Sequence, residues 1–193
     1  SGMGGSAIGG DIVIALGRND ISIPSVVVRD YNLPNWVNKN TIVICSSYSG
    51  NTEETLSAFD DAIKKKAMVF GVTTGGNLGK KLDKYHRDKI IVPRGLQPRA
   101  ALAFSVIVIS FYLRKLGILK ADFGKWINIA VDKIKKDQKE YCLGKIDNPC
   151  YSLAKNIFKK IPIIYTCNSR YTIVANRIKG QLAENSKMLS YVG

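Results

Sequence analysis

The chain has 193 residues, 46% of them hydrophobic, which is enough for one large or two small domains with a real core and argues against disorder. A net charge of +14, from 29 Lys and Arg against 15 Asp and Glu, points to anionic partners such as phosphorylated metabolites, nucleic acid or membrane surfaces. The longest apolar run, Ala100 to Leu113, is too short to span a bilayer, Ser1 to Gly5 has neither the basic start nor the apolar core of a signal peptide, and the lysine clusters carry no interleaved aromatic platform, so no membrane and no nucleic-acid partner is expected.

The chain opens on Ser1-Gly2-Met3-Gly4-Gly5-Ser6-Ala7-Ile8-Gly9-Gly10-Asp11, which reads as a glycine-rich loop, followed by helix from Ile12 to Leu16. A loop of this kind normally follows a strand, so the pattern expects a strand ahead of Ser1. Ser25-Val26-Val27-Val28-Arg29, bounded by Pro24 and the turn Asp30 to Pro34, reads as a strand. Thr41-Ile42-Val43-Ile44-Cys45 is an apolar, β-branched run of the kind buried in a parallel sheet. Glu53 to Lys66, with Leu56, Phe59, Ala62 and Ile63 on one stripe, is an amphipathic helix. Ala67 to Val72 is the next strand, Thr73 to Asn77 a polar turn and Leu78 to Tyr85 a short helix. Lys89 to Val92 is a further strand, and Pro93 to Pro98 a loop from which Arg99 leads into a long apolar helix, Ala100 to Leu116, ended by Gly117. This alternation predicts an α/β fold, a doubly wound parallel sheet that binds ligands beyond the carboxyl ends of its strands.

Phe123 to Lys139 continues as helix, and Asp147-Asn148-Pro149 breaks the chain. A helix from Tyr151 to Lys160, a strand from Ile161 to Thr166, a turn from Cys167 to Arg170 and a helix from Tyr171 to Gly180 repeat the earlier pattern. The expected organisation is therefore a first domain over 1–150 with trailing helices and the start of a second, incomplete domain over 151–193. The four cysteines, Cys45, Cys142, Cys150 and Cys167, show no C-x-x-C spacing and read as reduced thiols of a cytoplasmic protein.

The stretch Ser46-Ser47-Tyr48-Ser49-Gly50-Asn51-Thr52-Glu53-Glu54-Thr55 joins a buried strand to an amphipathic helix. It offers the hydroxyls of Ser47, Ser49 and Thr52, a flexible Gly50 and the free amides of a helix start, which together suit a phosphate. The plainer alternative is a serine-rich cap, with Ser49 or Asn51 as the capping residue. Gly2-Met3-Gly4-Gly5-Ser6-Ala7 also fits G-x-G-x-x-G/A, with Asp30 after the next strand, so a dinucleotide-binding oxidoreductase is a rival. That rival leaves the hydroxyl turn at Ser47 to Thr52 without a role.

Taken together, Gly4-Gly5-Ser6, Ser47-Tyr48-Ser49-Gly50-Asn51-Thr52 and Pro98-Arg99 resemble the sugar isomerase (SIS) domain. The wording of the first loop, of Ser47 to Thr55 and of Gln181-Leu182-Ala183-Glu184-Asn185-Ser186-Lys187 is similar to the bifunctional phosphoglucose/phosphomannose isomerases, which carry two SIS domains in one chain. The resemblance implies interconversion of glucose 6-phosphate or mannose 6-phosphate with fructose 6-phosphate, by a homodimer, without metal or nucleotide cofactor. It implies that Ser47, Ser49 and Thr52 hold the phosphate and that Gly5 and Ser6 line the sugar. It implies that Arg99 stabilises an enediol(ate) and that Glu184 moves the proton between C1 and C2. It also implies a ring-opening histidine further on, whereas the one histidine, His86, stands elsewhere and reads as a surface residue.

Elementary chemistry agrees, because aldose–ketose isomerisation needs a carboxylate to take and return a proton, a fixed cation at the developing oxyanion and a remote grip on the phosphate. Plainer readings stand beside each role: Arg99 as a solvated residue at a helix start, Glu184 as a surface helix residue, and the whole as a non-catalytic module that senses a sugar phosphate.

Overall fold

The computed structural model describes residues 1–141 and 148–193 and divides into two compact units, Ser1–Ala121 and Asp122–Gly193. Cys142 and Asp147 lie outside the described residues.

In the first unit, helix α1 (Gly4–Leu16) is followed by β1 (Ile42–Ser47), α2 (Glu53–Lys64), β2 (Met68–Thr73), α3 (Gly76–Lys84) and β3 (Lys89–Ile91). A 3-10 turn (Pro98–Ala100) then leads into α4 (Leu102–Lys115). The three strands pair in parallel in the order β1-β2-β3, with Cys45 level with Gly71 and Gly71 level with Lys89. Alternate residues along β1 and β2 serve opposite faces. Val43, Cys45 and Val69 close a core with Ala58, Phe59 and Ala62 of α2 and with Leu78 and Leu82 of α3. On the other face, Phe70 stacks on Tyr112 of α4 at 3.7 Å between ring centres. Helices therefore cover both faces, which is the doubly wound α/β architecture expected. Cys45 is wholly buried, and desolvation pushes its thiol up to about 11, so it is a packing residue with no nucleophilic character at neutral pH.

Two expectations for the first unit need correction. The glycine-rich opening is not a loop beyond Met3: α1 begins at Gly4, and its glycines serve close packing. A Cβ on Gly9 would lie 2.0 Å from Ser105 Oγ of α4, so only hydrogen lets the two helices approach this closely. Ser25 to Arg29 forms no strand. It is held to α1 by the Arg29–Asp11 ion pair, and its backbone bond across to the sheet side runs from Gly2 N–H to Val28 C=O.

In the second unit, α5 (Phe123–Tyr141) packs on α6 (Pro149–Ile157), and β4 (Ile163–Ile164) pairs in parallel with β5 (Tyr191–Val192). Helix α7 (Ser169–Ser186) connects them and packs on β5. Asn148 caps α6 by accepting Tyr151 N–H, and Asn168 caps α7 by accepting Arg170 N–H. The helix expected to stop at Gly180 continues to Ser186, where Lys187 closes it in the left-handed region (φ 52°). Gly180 is therefore an interior helical residue and not a bend.

Candidate functional site

The site is built where β1 and β2 end. Ser47, the last residue of β1, is buried, and its hydroxyl meets Thr52 Oγ1 at 2.9 Å and accepts Gly50 N–H at 3.1 Å. Gly50 takes φ +72°, and a Cβ there would fall 2.0 Å from the carbonyl oxygen of Gly75. The turn after β1 is thereby pressed against the turn after β2. Leu78 N–H donates to Gly50 C=O, Thr74 N–H to Tyr48 C=O and Asn77 N–H to Asn51 Oδ1, so the two turns form one interlocked surface.

Thr52 is the N-cap of α2, yet its side chain makes no capping bond to the helix. Neither plainer capping residue takes that place. Ser49 Oγ accepts only as far as Asn51 N–H, and Asn51 reaches across to the neighbouring turn. The first-turn amides of α2 are left without a side-chain acceptor, next to the Ser47–Thr52 hydroxyl pair. This is an arrangement that suits an anion.

Two further segments arrive at this end of the sheet. Ser1 N donates to Ile44 C=O and accepts from Ser46 N–H through its own C=O, so it lies level with Cys45 on the open side of β1. Gly2 is packed so tightly that a Cβ would lie 2.7 Å from Ser46 O. Gly5 and Ser6, in the first turn of α1, are therefore carried to the same carboxyl end as Ser47. Arg99 comes from the loop after β3. That loop is tied back by Tyr48, whose hydroxyl donates to Pro93 C=O at 2.9 Å and accepts Leu96 N–H at 3.1 Å, and by Arg94, whose Nε donates to Thr74 C=O. Gly5, Ser6, Ser47, Ser49, Thr52 and Arg99 thus share one end of one sheet. Arg99 is solvent-exposed.

Glu184 belongs to the second unit, on the last turn of α7, where its side chain is exposed and its C=O accepts the Lys187 ammonium at 2.8 Å. His86 is an exposed turn residue with φ 51°, just before the start of β3, hence at the opposite end of the sheet from the turns. Sequence gives Tyr48 and Arg94 no part of their own, and Asn51 only that of a cap. Their task of joining one turn to another depends on contacts between distant residues, and only the central position of Tyr48 in the serine turn hinted at it.

A parallel sheet covered on both faces, with serine- and glycine-rich turns interlocked at its carboxyl end, defines a SIS-type α/β domain. The comparisons agree with this class: residues 146–193 match the family described as bacterial phospho-glucose isomerase C-terminal SIS domain. Over nearly its whole length it is similar to bifunctional phosphoglucose/phosphomannose isomerases. It is 41% identical over 99% of the chain to that of Caldicellulosiruptor bescii and 37% identical over 99% of the chain to that of Thermoplasma acidophilum. It spans 57% and 56% of the length of these two relatives. Among solved structures, the C-terminal domain of glucosamine-fructose-6-phosphate aminotransferase from Francisella tularensis superposes with a TM-score of 0.72 at 16% identity, covering 100% of this chain and 56% of that one. The identity is low enough that this last likeness speaks for the fold alone.

Proposed function

We propose that this chain forms part of an aldose–ketose isomerase that interconverts glucose 6-phosphate, and mannose 6-phosphate, with fructose 6-phosphate through an enediol(ate). The observation that carries the reading is the uncapped start of α2 beside the Ser47–Thr52 hydroxyl pair, found in a chain similar along its length to enzymes named for this reaction. Ser47, Ser49 and Thr52 grip the phosphate, so that its binding energy positions the reacting carbons. Gly5 and Ser6 line the sugar. Arg99 stabilises the negative charge that develops on the enediolate oxygen. Glu184 takes the proton from one carbon and returns it to the next. Proton transfer and a fixed cation suffice for this route, which calls for neither metal nor nucleotide.

Of the glycines that suggested a dinucleotide fingerprint, Gly2 packs against Ser46 and Gly4 opens α1 with nothing within 4 Å of a Cβ, while the hydroxyl turn at Ser47 to Thr52, which that rival leaves without a role, favours the isomerase reading. We assign residues 151–193 to the start of a second SIS domain, supported by the family match over 146–193. The working protein is a cytoplasmic homodimer.

Hexose 6-phosphates should raise the melting temperature in proportion to the logarithm of their concentration, and free hexoses should not. Equal shifts from glucose and glucose 6-phosphate would overturn the phosphate assignment. Binding without turnover by the full-length enzyme would leave the sensor reading in its place. In that enzyme Glu184→Gln keeps the shape and loses the base, so kcat should fall by about 10²–10⁴ with sugar-phosphate binding nearly unchanged.

A further inference from the structure

Tyr48 stands between Ser47 and Ser49 of the phosphate grip, yet its side chain leaves that turn. Its backbone is fixed from the neighbouring turn, because its C=O accepts Thr74 N–H at 3.0 Å. From this fixed origin the half-buried side chain meets two other segments. The hydroxyl accepts Leu96 N–H at 3.1 Å and donates to Pro93 C=O at 2.9 Å. The ring lies parallel to that of Phe104, in the first turn of α4, with 4° between the planes and 6.4 Å between the centres. Arg99 lies between these two holds, three residues after Leu96 and five before Phe104, in the 3-10 turn Pro98–Ala100. That turn also packs on α1, whose first turn carries Gly5 and Ser6.

The loop ahead of Arg99 needs a hold from outside. Residues 93–97 are exposed, so burial in the core does not anchor them. Gly95 takes φ +102° with nothing within 4 Å of a Cβ, so the backbone there crosses open space. Arg94 contributes a bond from its Nε to Thr74 C=O, but it acts on the near side of Gly95. Leu96 N–H lies past the glycine, on the side toward Arg99. The Tyr48 hydroxyl therefore restrains the part of the loop that Gly95 would leave loose. Its donor is engaged at Pro93 and it accepts from Leu96, so it serves the loop rather than a substrate.

We propose that Tyr48 is a positioning residue whose hydroxyl and ring set the place of Arg99 relative to a phosphate held by Ser47, Ser49 and Thr52. The proposal rests on the isomerase reading and adds to it a link between the remote grip and the cation at the reacting carbons. A tyrosine suits this task because it spans a long distance with two rotatable bonds. A cation stabilises a developing oxyanion only if it is in place beforehand, and a misplacement of about 1 Å costs about 10²-fold in rate.

Tyr48→Phe keeps the ring on Phe104 and removes both hydrogen bonds. In the full-length enzyme it should lower kcat for glucose 6-phosphate by about 10–100-fold and leave KM within about twofold. Tyr48 acts through Arg99, so the double variant Tyr48→Phe/Arg99→Ala should be no slower than Arg99→Ala alone. In the 193-residue chain Tyr48→Phe should speed amide exchange at Leu96 by about tenfold or more and leave Leu78, which bonds Gly50 C=O, unchanged. A merely structural hydroxyl would lower stability without this split between kcat and KM and without this dependence on Arg99. Near-normal kcat in Tyr48→Phe, a rise in KM alone, full additivity in the double variant or unchanged exchange at Leu96 would each overturn the proposal and leave the isomerase reading standing. Absence of turnover in the unsubstituted full-length enzyme would overturn that reading, and the proposal with it.

Discussion

At Ser47 a single hydroxyl sets the internal order of the site. It holds Gly50 N–H and meets Thr52, which leaves the amides at the start of α2 without an acceptor. Thr52→Val preserves shape and removes one hydroxyl of the pair. Hydrogen bonds to charged groups contribute about 1.5–3 kcal/mol, so glucose 6-phosphate should bind roughly tenfold more weakly or worse, by titration calorimetry. An unchanged affinity would take Thr52 out of the phosphate grip. The serine turn could be read from sequence because its hydroxyls are neighbours in the chain. The capping could not, because Asn51 is drawn to Asn77 on another turn. Asp61 shows the same limit. Desolvation raises its carboxyl, but the Lys65 side chain, the Leu33 N–H and the Lys65 and Lys64 charges outweigh it, and the result lies below the ordinary 3.8. A depressed carboxyl adds stability above its unfolded pKa and loses it as pH falls through the folded value. Asp61→Asn should therefore flatten the loss of stability on acidification below about pH 4, measured by urea unfolding at stepped pH.

Among elements, α1 and α7 mark where local pattern fails. Helix propensity disfavours a run of glycines, yet α1 starts at Gly4 because the close approach to α4 outweighs the local cost. Gly9→Ala would place a Cβ 2.0 Å from Ser105 Oγ and 2.7 Å from Ser105 Cβ. Over-packing of this kind costs about 1–3 kcal/mol, and adding Ser105→Gly in the same chain should restore most of it. A destabilised double variant would mean that the glycine serves something other than this contact. In α7 the glycine has the opposite character, since nothing lies within 4 Å of a Cβ on Gly180. Gly180→Ala should stabilise by about 0.5–1 kcal/mol, because an interior helical glycine only adds backbone entropy to the unfolded chain. Destabilisation would instead mean that Gly180 serves more than helix continuity. Val26 to Arg29 has strand composition without strand structure: β-branched residues supply the propensity, and a ladder still needs a paired neighbour.

For the whole molecule, the alternation of strands and helices made the first unit legible, because a sheet covered on both faces leaves its apolar runs in the sequence. The second unit was less so. Phe123 and Ala175 are its buried hydrophobics among the described residues, while Trp126, Ile134, Phe158 and Tyr165 are 65%, 65%, 67% and 78% exposed. The apolar stripe of α5 is plain in the sequence, but sequence does not say what covers it. Folding of a segment this small requires apolar burial to offset chain entropy, at about 25 cal/mol per Å² against about 1–2 kcal/mol per residue. With so little buried, residues 122–193 cannot meet that condition alone. Expressed separately, they should melt without a cooperative transition and bind a hydrophobic dye, as loosely packed states do. Residues 1–121, with their core around Cys45, Phe59, Leu78 and Leu82, should melt cooperatively. The exposed aromatics call for cover; if a second copy supplies it, light scattering on the 193-residue chain at micromolar concentration should show a dimer or larger species. A sharp melt of 122–193 together with a monomeric full chain would mean that this surface is stable in water and that the homodimer needs another interface.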